Sequence, residues 1–227
     1  MSHQFNILYN KNILLTGGPR FINSKLCESL LKLKAKVTCP DNFTTGHKYN
    51  IASFLTVENF KMIEGDIRVL ATCNTACKGQ NFVLHQAALG SVPRSINDTI
   101  TSKEVNERGF LNMLVAARDA DVKRFVYAAS SLTYGYSKVL LKVEDIQKPL
   151  LPYAITKYVN ELYVTIFHIS YGLDNIELRY FNVFGRLQDP NGAYAAVIPL
   201  FIKQFMTHQS PVINGDGSYS RDFTYID

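Results

Sequence analysis

Tyr153 is followed four residues later by Lys157 in Pro152-Tyr153-Ala154-Ile155-Thr156-Lys157, and the serine pair Ser130-Ser131 closes the apolar run upstream. Residues four apart share a helix face, so this spacing sets an ammonium beside a phenol. An unperturbed phenol titrates near pH ~10, and a fixed cation favours its anion, drawing it towards the range where a general base is useful. A serine hydroxyl at a strand end can reach the same substrate oxygen. The same spacing also suits an ordinary amphipathic helix, so the surrounding elements must decide between the two.

Those elements read as alternating strands and helices. Asn12–Thr16, Lys36–Cys39, Phe60–Ile63, Phe82–Leu84, Phe125–Ala129 and Ile176–Tyr180 are short apolar runs suited to strands. Phe21–Leu33, Val69–Ala76, Glu104–Arg118 and the segment from Tyr153 to about Tyr171 carry helical patterns. This alternation predicts an α/β doubly wound parallel sheet. From Gly185 onward the pattern loosens into Pro-, Gly- and Asn-rich loops around Val197–Thr207, which places a domain boundary between 1–184 and 185–227.

At 227 residues with 47% apolar content, the chain can bury roughly 70–75% of its unfolded surface without staples. Its 24 Lys and Arg against 19 Asp and Glu give +5, a balance that does not argue for nucleic acid and suits an anionic small molecule equally well. Cys27, Cys39, Cys73 and Cys77 have no partner set completing a zinc site, so reduced thiols and a cytoplasmic location are expected, with no metal. No signal core or apolar run of membrane-spanning length is present.

Thr16-Gly17-Gly18-Pro19-Arg20-Phe21-Ile22-Asn23 lies between the first strand and its helix, where a dinucleotide's diphosphate binds. Gly17 fits the first glycine of that fingerprint, while Arg20 and Asn23 stand where the other two belong. Asp41 after the second strand has the spacing of an acid that accepts ribose hydroxyls, and Asp66 after the third is placed to accept the adenine amino group. His85-Gln86-Ala87-Ala88 follows the fourth strand on the same edge. An aspartate there is also a common turn or cap residue.

With these residues assembled, the chain resembles the extended short-chain dehydrogenase/reductase family, within it the nucleotide-sugar epimerases, and most closely the bacterial UDP-N-acetylglucosamine 4-epimerases and their uronic-acid relatives. The resemblance rests on Asp41-Asn42-Phe43 with Thr45-Gly46-His47, on Leu84 to Ser95, on Ala128-Ala129-Ser130-Ser131, and on Tyr153 to Lys157. It continues through Leu178-Arg179-Tyr180-Phe181-Asn182-Val183-Phe184-Gly185, Asp189 to Pro199, and Gly215-Asp216-Gly217 with Arg221-Asp222-Phe223.

The resemblance implies NAD as cofactor, a UDP-sugar as substrate, and 4-epimerisation of a UDP-N-acetylhexosamine or its uronic acid for surface polysaccharide, through a transient 4-keto sugar. A homodimer is compatible with it. It implies an NAD-binding Rossmann domain over 1–184 and an incomplete substrate-binding domain over 185–227, with Tyr153 as base, Lys157 lowering its pKa, and Ser130 sharing the sugar 4-hydroxyl. The cofactor would meet Gly17, Phe21, Ile22, Asp41, Asn42, Gly46, Asp66, Ile67, Gln86, Ala87 and Ala88, besides Tyr153 and Lys157. Ser91, Ser130 and Ser131 would approach the sugar, Asn182 and Arg221 the diphosphate, and Ala196 and Val197 the uridine.

Sugar dehydratases and decarboxylases of the same family carry an acid near the serine; Leu132 and Thr133 follow it here, which disfavours both. Asp41 favours NAD over NADP. Two departures qualify the match. Arg20 and Asn23 replace glycines, which can weaken NAD binding, and family members run well beyond residue 227. A truncated or decayed relative with at most a binding role is therefore the rival expectation.

Overall fold

The computed structural model describes residues 6–135, 149, 151–191, 195–213, 215–218 and 220–226. Gly192, Ala193 and Tyr194, within one of the stretches carrying the resemblance, lie outside them. Strand β1 (Asn12–Thr16) leads into α1 (Phe21–Lys32), β2 (Lys36–Asp41), β3 (Phe60–Glu64), α2 (Leu70–Cys77) and β4 (Phe82–His85). Two short helices, α3 (Val92–Asn97) and α4 (Thr99–Lys103), run through a π-helical turn at Glu104–Arg108 into α5 (Gly109–Asp119). Then come β5 (Arg124–Ser130), α6 (Pro152–Tyr171), β6 (Asn175–Tyr180), β7 (Asn182–Phe184), α7 (Val197–Met206) and β8 (Phe223–Tyr225).

Six strands form one parallel sheet in the order β3-β2-β1-β4-β5-β6. The order reverses between β1 and β4, which opens a crevice at their carboxyl ends. β1 is buried on both faces: Leu14 packs with Val83, Phe110, Phe125 and Tyr127, while Ile13 and Leu15 pack on the other side with Cys27, Val37 and Cys39. Alternate residues of a strand face opposite ways, so a continuous apolar run is what a sheet covered on both sides requires.

The expected doubly wound sheet is present. Helix α6 is bounded by Pro152 in its first turn and by Gly172 in the left-handed conformation at its end (φ +68°), the residue types that suit these two positions. The long helix expected over Glu104–Arg118 is a composite whose first turn is π-helical. A second, two-stranded parallel sheet joins β7 to β8, and no alternation in the sequence announced it. On α7 the side chains of Ile202, Phe205 and Met206 are exposed.

Candidate active site

The crevice is built from the carboxyl ends of the six strands of the large sheet. At β5, Ser130 begins a 3₁₀ turn: its hydroxyl accepts from the Leu132 amide at 3.2 Å, and Thr133 donates back to the Ser130 carbonyl at 2.8 Å. Facing it, the first turn of α6 is held by α3, whose Ser95 hydroxyl accepts from the Tyr153 amide at 3.2 Å. That contact satisfies one of the amides a helix start leaves without partners.

Tyr153, Lys157, Ser130, Ser131, Asn182 and Arg221 line one hollow of about 660 Å³, with Phe21, Ile22, Gln86 and Ala88 on its other wall. Lys157 is buried and donates to the Ala128 carbonyl at 2.7 Å. Burial draws its pKa down to about 8, the Arg20 charge adds to the fall, and Glu161 opposes it. The Tyr153 phenol stands above its ordinary value, because burial outweighs the nearby Arg20 charge and a hydrogen bond with Ser130. Arg20 lies close enough to lower the phenol's pKa, and the Lys157 ammonium stands 5.9 Å from the Tyr153 ring centre.

Gly17, Asp41, Asn42, Asp66, Ile67, Ala87 and Ala88 line a narrower trough of about 80 Å³ on the far side of Arg20. Asp41 accepts from the Phe43 amide at 2.6 Å, and burial raises its pKa against that bond and the Arg20 charge. Asp66 is held at about 2 by Arg68, whose guanidinium lies 2.6 Å away, and it also accepts from Asn42. Ser91 and Ala196 border a third hollow of about 420 Å³ with Phe21, Ile22 and Gln86. Ser91 caps α3, accepting from the Arg94 amide. Gly46 packs under Pro19, where a Cβ would stand 2.6 Å from the proline Cβ. Val197 opens α7 with its side chain exposed. Gly46 and Val197 border none of these three hollows.

Arg20 caps α1 by position, with extended backbone and no capping side-chain bond. Its guanidinium crosses the crevice, donating to the Ala88 carbonyl at 2.6 Å and, through Nε at 3.0 Å, to the Thr45 hydroxyl. Asn23 turns its amide onto the Gly17 and Thr16 carbonyls and leaves its own oxygen without a partner. It thereby fills the space a third glycine would leave. Gly17 takes φ +80°, and a Cβ on Gly18 would meet the Cys39 sulfur at 1.9 Å.

Further residues brace the site, and of these Asn106 carried no sequence signal. Thr16 accepts from the Gln86 and Ala87 amides, so β1 fixes the loop after β4. His85, stacked on Phe125 and edge-on to Phe110 beside Thr16, is held neutral by burial, its pKa at about 3. Tyr180 meets the Gln86 amide at 3.2 Å. Asn106, in the π turn, accepts from the Leu89 amide at 2.7 Å and donates towards Thr156, tying that loop to α6; π turns of this kind recur at functional sites.

The donor set fits a dinucleotide. A tight glycine turn opens α1, a carboxylate ends β2 and a cation sits between them, the pattern a ribose diol and a diphosphate require.

Sequence comparison agrees with that geometry: residues 13–227 match the NAD dependent epimerase/dehydratase family. The chain belongs to this family. A UDP-N-acetylglucosamine 4-epimerase from Methanobrevibacter ruminantium M1, solved with UDP-N-acetylmuramic acid, superposes with a TM-score of 0.92 at 40% identity, covering 96% of this chain and 70% of that one. A Methanocaldococcus jannaschii protein provisionally assigned as a UDP-glucose 4-epimerase is 36% identical over 216 residues, 94% of this chain and 69% of the relative. The UDP-glucuronic acid 4-epimerase of Bacillus cereus, solved with UDP-glucuronic acid and NAD, gives a TM-score of 0.88 at 29% identity over 95% of this chain and 69% of that one. The epimerase/dehydratase chain described here is thus an NAD-dependent enzyme of nucleotide-sugar type. No described helix is long and apolar enough to cross a membrane.

Proposed function

We propose that this enzyme interconverts UDP-N-acetylhexosamines, or the corresponding uronic acids, at carbon 4 in the making of surface polysaccharide. The observation that carries the reading is the convergence of Tyr153, Ser130 and Lys157 on one hollow beside the glycine turn. The 40% identical relative named for UDP-N-acetylglucosamine supports the substrate class.

In this reading Tyr153 takes the proton of the sugar 4-hydroxyl, and Ser130 donates to the same oxygen and orients it. Lys157 supplies positive charge beneath the site. Bound NAD supplies the hydride acceptor and donor at carbon 4. Asn182 positions the far wall, since its amide donates to the Asp222 carbonyl at 2.9 Å and so fixes the segment before β8 that carries Arg221. Arg221 and Asn182 would meet the substrate diphosphate, Ser91 and Ser131 the sugar, and Ala196 and Val197 the uridine. The remaining cofactor contacts are those of the trough holding Asp41 and of the hollow holding Lys157, with Gly46 supporting the turn from beneath.

Dehydration or decarboxylation is less well supported. The residues after Ser130 and Ser131 are an exposed Leu132 and a buried Thr133 bonded to backbone, and neither can shuttle a proton as a carboxylate does.

A division into a cofactor part over 1–184 and a substrate part over 185–227 belongs to the same proposal. So does a cytoplasmic location, which suits four free, buried cysteines. A homodimer is supported by Ile155, Leu162, Ile166 and Ile169, which share an exposed face of α6 opposite its buried one.

The test is interconversion of UDP-N-acetylglucosamine and UDP-N-acetylgalactosamine with added NAD, beside UDP-glucose and UDP-glucuronic acid. Conversion of the hexosamine pair is expected. Conversion of UDP-glucose alone would overturn the substrate assignment.

A further inference from the structure

Arg20 divides the crevice. It borders the hollow holding Tyr153 and Lys157, the trough holding Asp41 and Asp66, and the hollow holding Ser91 and Arg94. A dinucleotide lying along the carboxyl edge of the sheet has its adenosine in the trough and its reactive ring by Lys157, so its diphosphate passes over α1 at Arg20. In the usual fingerprint a glycine here lets backbone amides approach the phosphates. This chain puts five side-chain donors in that place instead.

The guanidinium is held for the task. Its contacts are the Ala88 carbonyl and the Thr45 hydroxyl. Both are neutral, so neither cancels its charge. Two like charges lie close to it: Arg94 lowers the Arg20 pKa, while Asp41 and Tyr153 raise it, and Lys157 is itself lowered by the Arg20 charge. Burial and Arg94 draw the Arg20 pKa down, with Asp41 opposing. A half-buried cation with neutral partners and like-charged neighbours is strongly stabilised by an arriving anion.

We propose that Arg20 is a diphosphate clamp, exchanging its bonds to Ala88 and Thr45 for the cofactor's phosphate oxygens and so replacing the backbone contacts that a glycine at this place would permit. The inference rests on NAD being the cofactor. Its consequence is that cofactor affinity in this chain depends on one side chain and on ionic strength.

Isothermal titration of NAD, ADP and adenosine into the wild type, Arg20→Gly and Arg20→Lys tests this, with thermal melts to confirm folding. Arg20→Gly is expected to weaken NAD and ADP by about tenfold or more while leaving adenosine unchanged. Arg20→Lys, which keeps the charge without the planar fork, is expected to fall between. Added salt is expected to weaken NAD binding more in the wild type than in Arg20→Gly. NAD binding by Arg20→Gly as tight as the wild type's, or tighter, overturns the clamp and leaves the cofactor reading intact; Arg20 is then an obstruction. Adenosine weakened in step with NAD also overturns it, because the loss is then not at the phosphates. NAD binding by none of the three folded proteins overturns the clamp and the cofactor reading together.

Discussion

The ammonium of Lys157 lies 2.7 Å from the Ala128 carbonyl oxygen, so a charge on α6 is docked against the strand that delivers Ser130. Burial holds its pKa at about 8, below the 10.5 of a free lysine. A lysine whose folded pKa is depressed binds fewer protons folded than unfolded between those values, so its contribution to stability grows as pH rises through that window. Below pH 8 both states are charged and the full burial cost, of order 3 kcal/mol, is present. The stability difference between wild type and Lys157→Met should therefore move in the wild type's favour between pH 8 and 10.5. Denaturant melts across that range check it, and a flat difference contradicts the assignment.

Tyr153→Phe keeps the ring that fills the hollow and removes the proton acceptor. Epimerisation should fall by about 10²- to 10⁴-fold, with NAD affinity and melting temperature unaltered. The phenol is raised by burial and lowered by Arg20 and Ser130, so activity should climb on the alkaline side. Ser130→Ala should move that limb to still higher pH. A limb that stays in place would remove Ser130 from the phenol's environment.

Much of this site was legible before the fold, for identifiable reasons. The bounds of α6 follow from Pro152 and Gly172, which are local signals. Tyr153 and Lys157 then share a face by helical geometry alone. Asp41 and Asp66 follow strand runs whose apolar character is unmistakable, and both line the trough. Arg20 was visible as a departure, but its direction was not: whether a long side chain points to solvent or across a crevice depends on Thr45 and Ala88, 25 and 68 residues away. Pairing of β7 with β8 was equally hidden, since two three-residue strands joined across a separation of about forty residues leave no periodic trace. The caps at Ser91 and Asp98 were local and readable; treating Ser91 only as a sugar contact passed over the first.

Asn106 satisfies both backbone groups of Leu89 from the π turn and donates to Thr156. In Asn106→Leu the buried Leu89 amide loses its acceptor, at a cost of about 1–3 kcal/mol. For a chain of this size that corresponds to a fall in melting temperature of roughly 3–10 °C. Because the Leu89 loop borders the trough, NAD affinity should fall as well. Unchanged melting would show that the π turn holds the loop without this side chain.

Gly18 and Cys39 are coupled by contact. A Cβ at Gly18 meets the Cys39 sulfur at 1.9 Å, and Cys39 is fully buried. Gly18→Ala should destabilise the protein by about 1–3 kcal/mol through overpacking, and Cys39→Ala removes the clashing atom. The double variant should be more stable than the sum of the two single effects, the sign of interaction expected of touching residues. Strict additivity in urea melts would place the strain elsewhere.

The exposed stripe on α6 leads to the last prediction. Ile155, Leu162, Ile166 and Ile169 recur at helical spacing on the face away from the sheet, and Ile169 is 72% exposed. The opposite face already packs through Val164 and Phe167 into the core. A helix apolar on both faces is covered on both in a stable assembly. Its order of charge is also informative: among residues 152–171 the described acidic side chain, Glu161, is turned inward to Arg179, so no carboxylate interrupts the outer stripe. Two copies meeting along this helix bury it symmetrically, as the commonest closed assembly does. Ile166→Glu sets a charge in the middle of that surface and should convert a dimer to a monomer in light scattering, without lowering the melting temperature of the monomer. A wild-type chain that scatters as a monomer at micromolar concentration would remove the dimer.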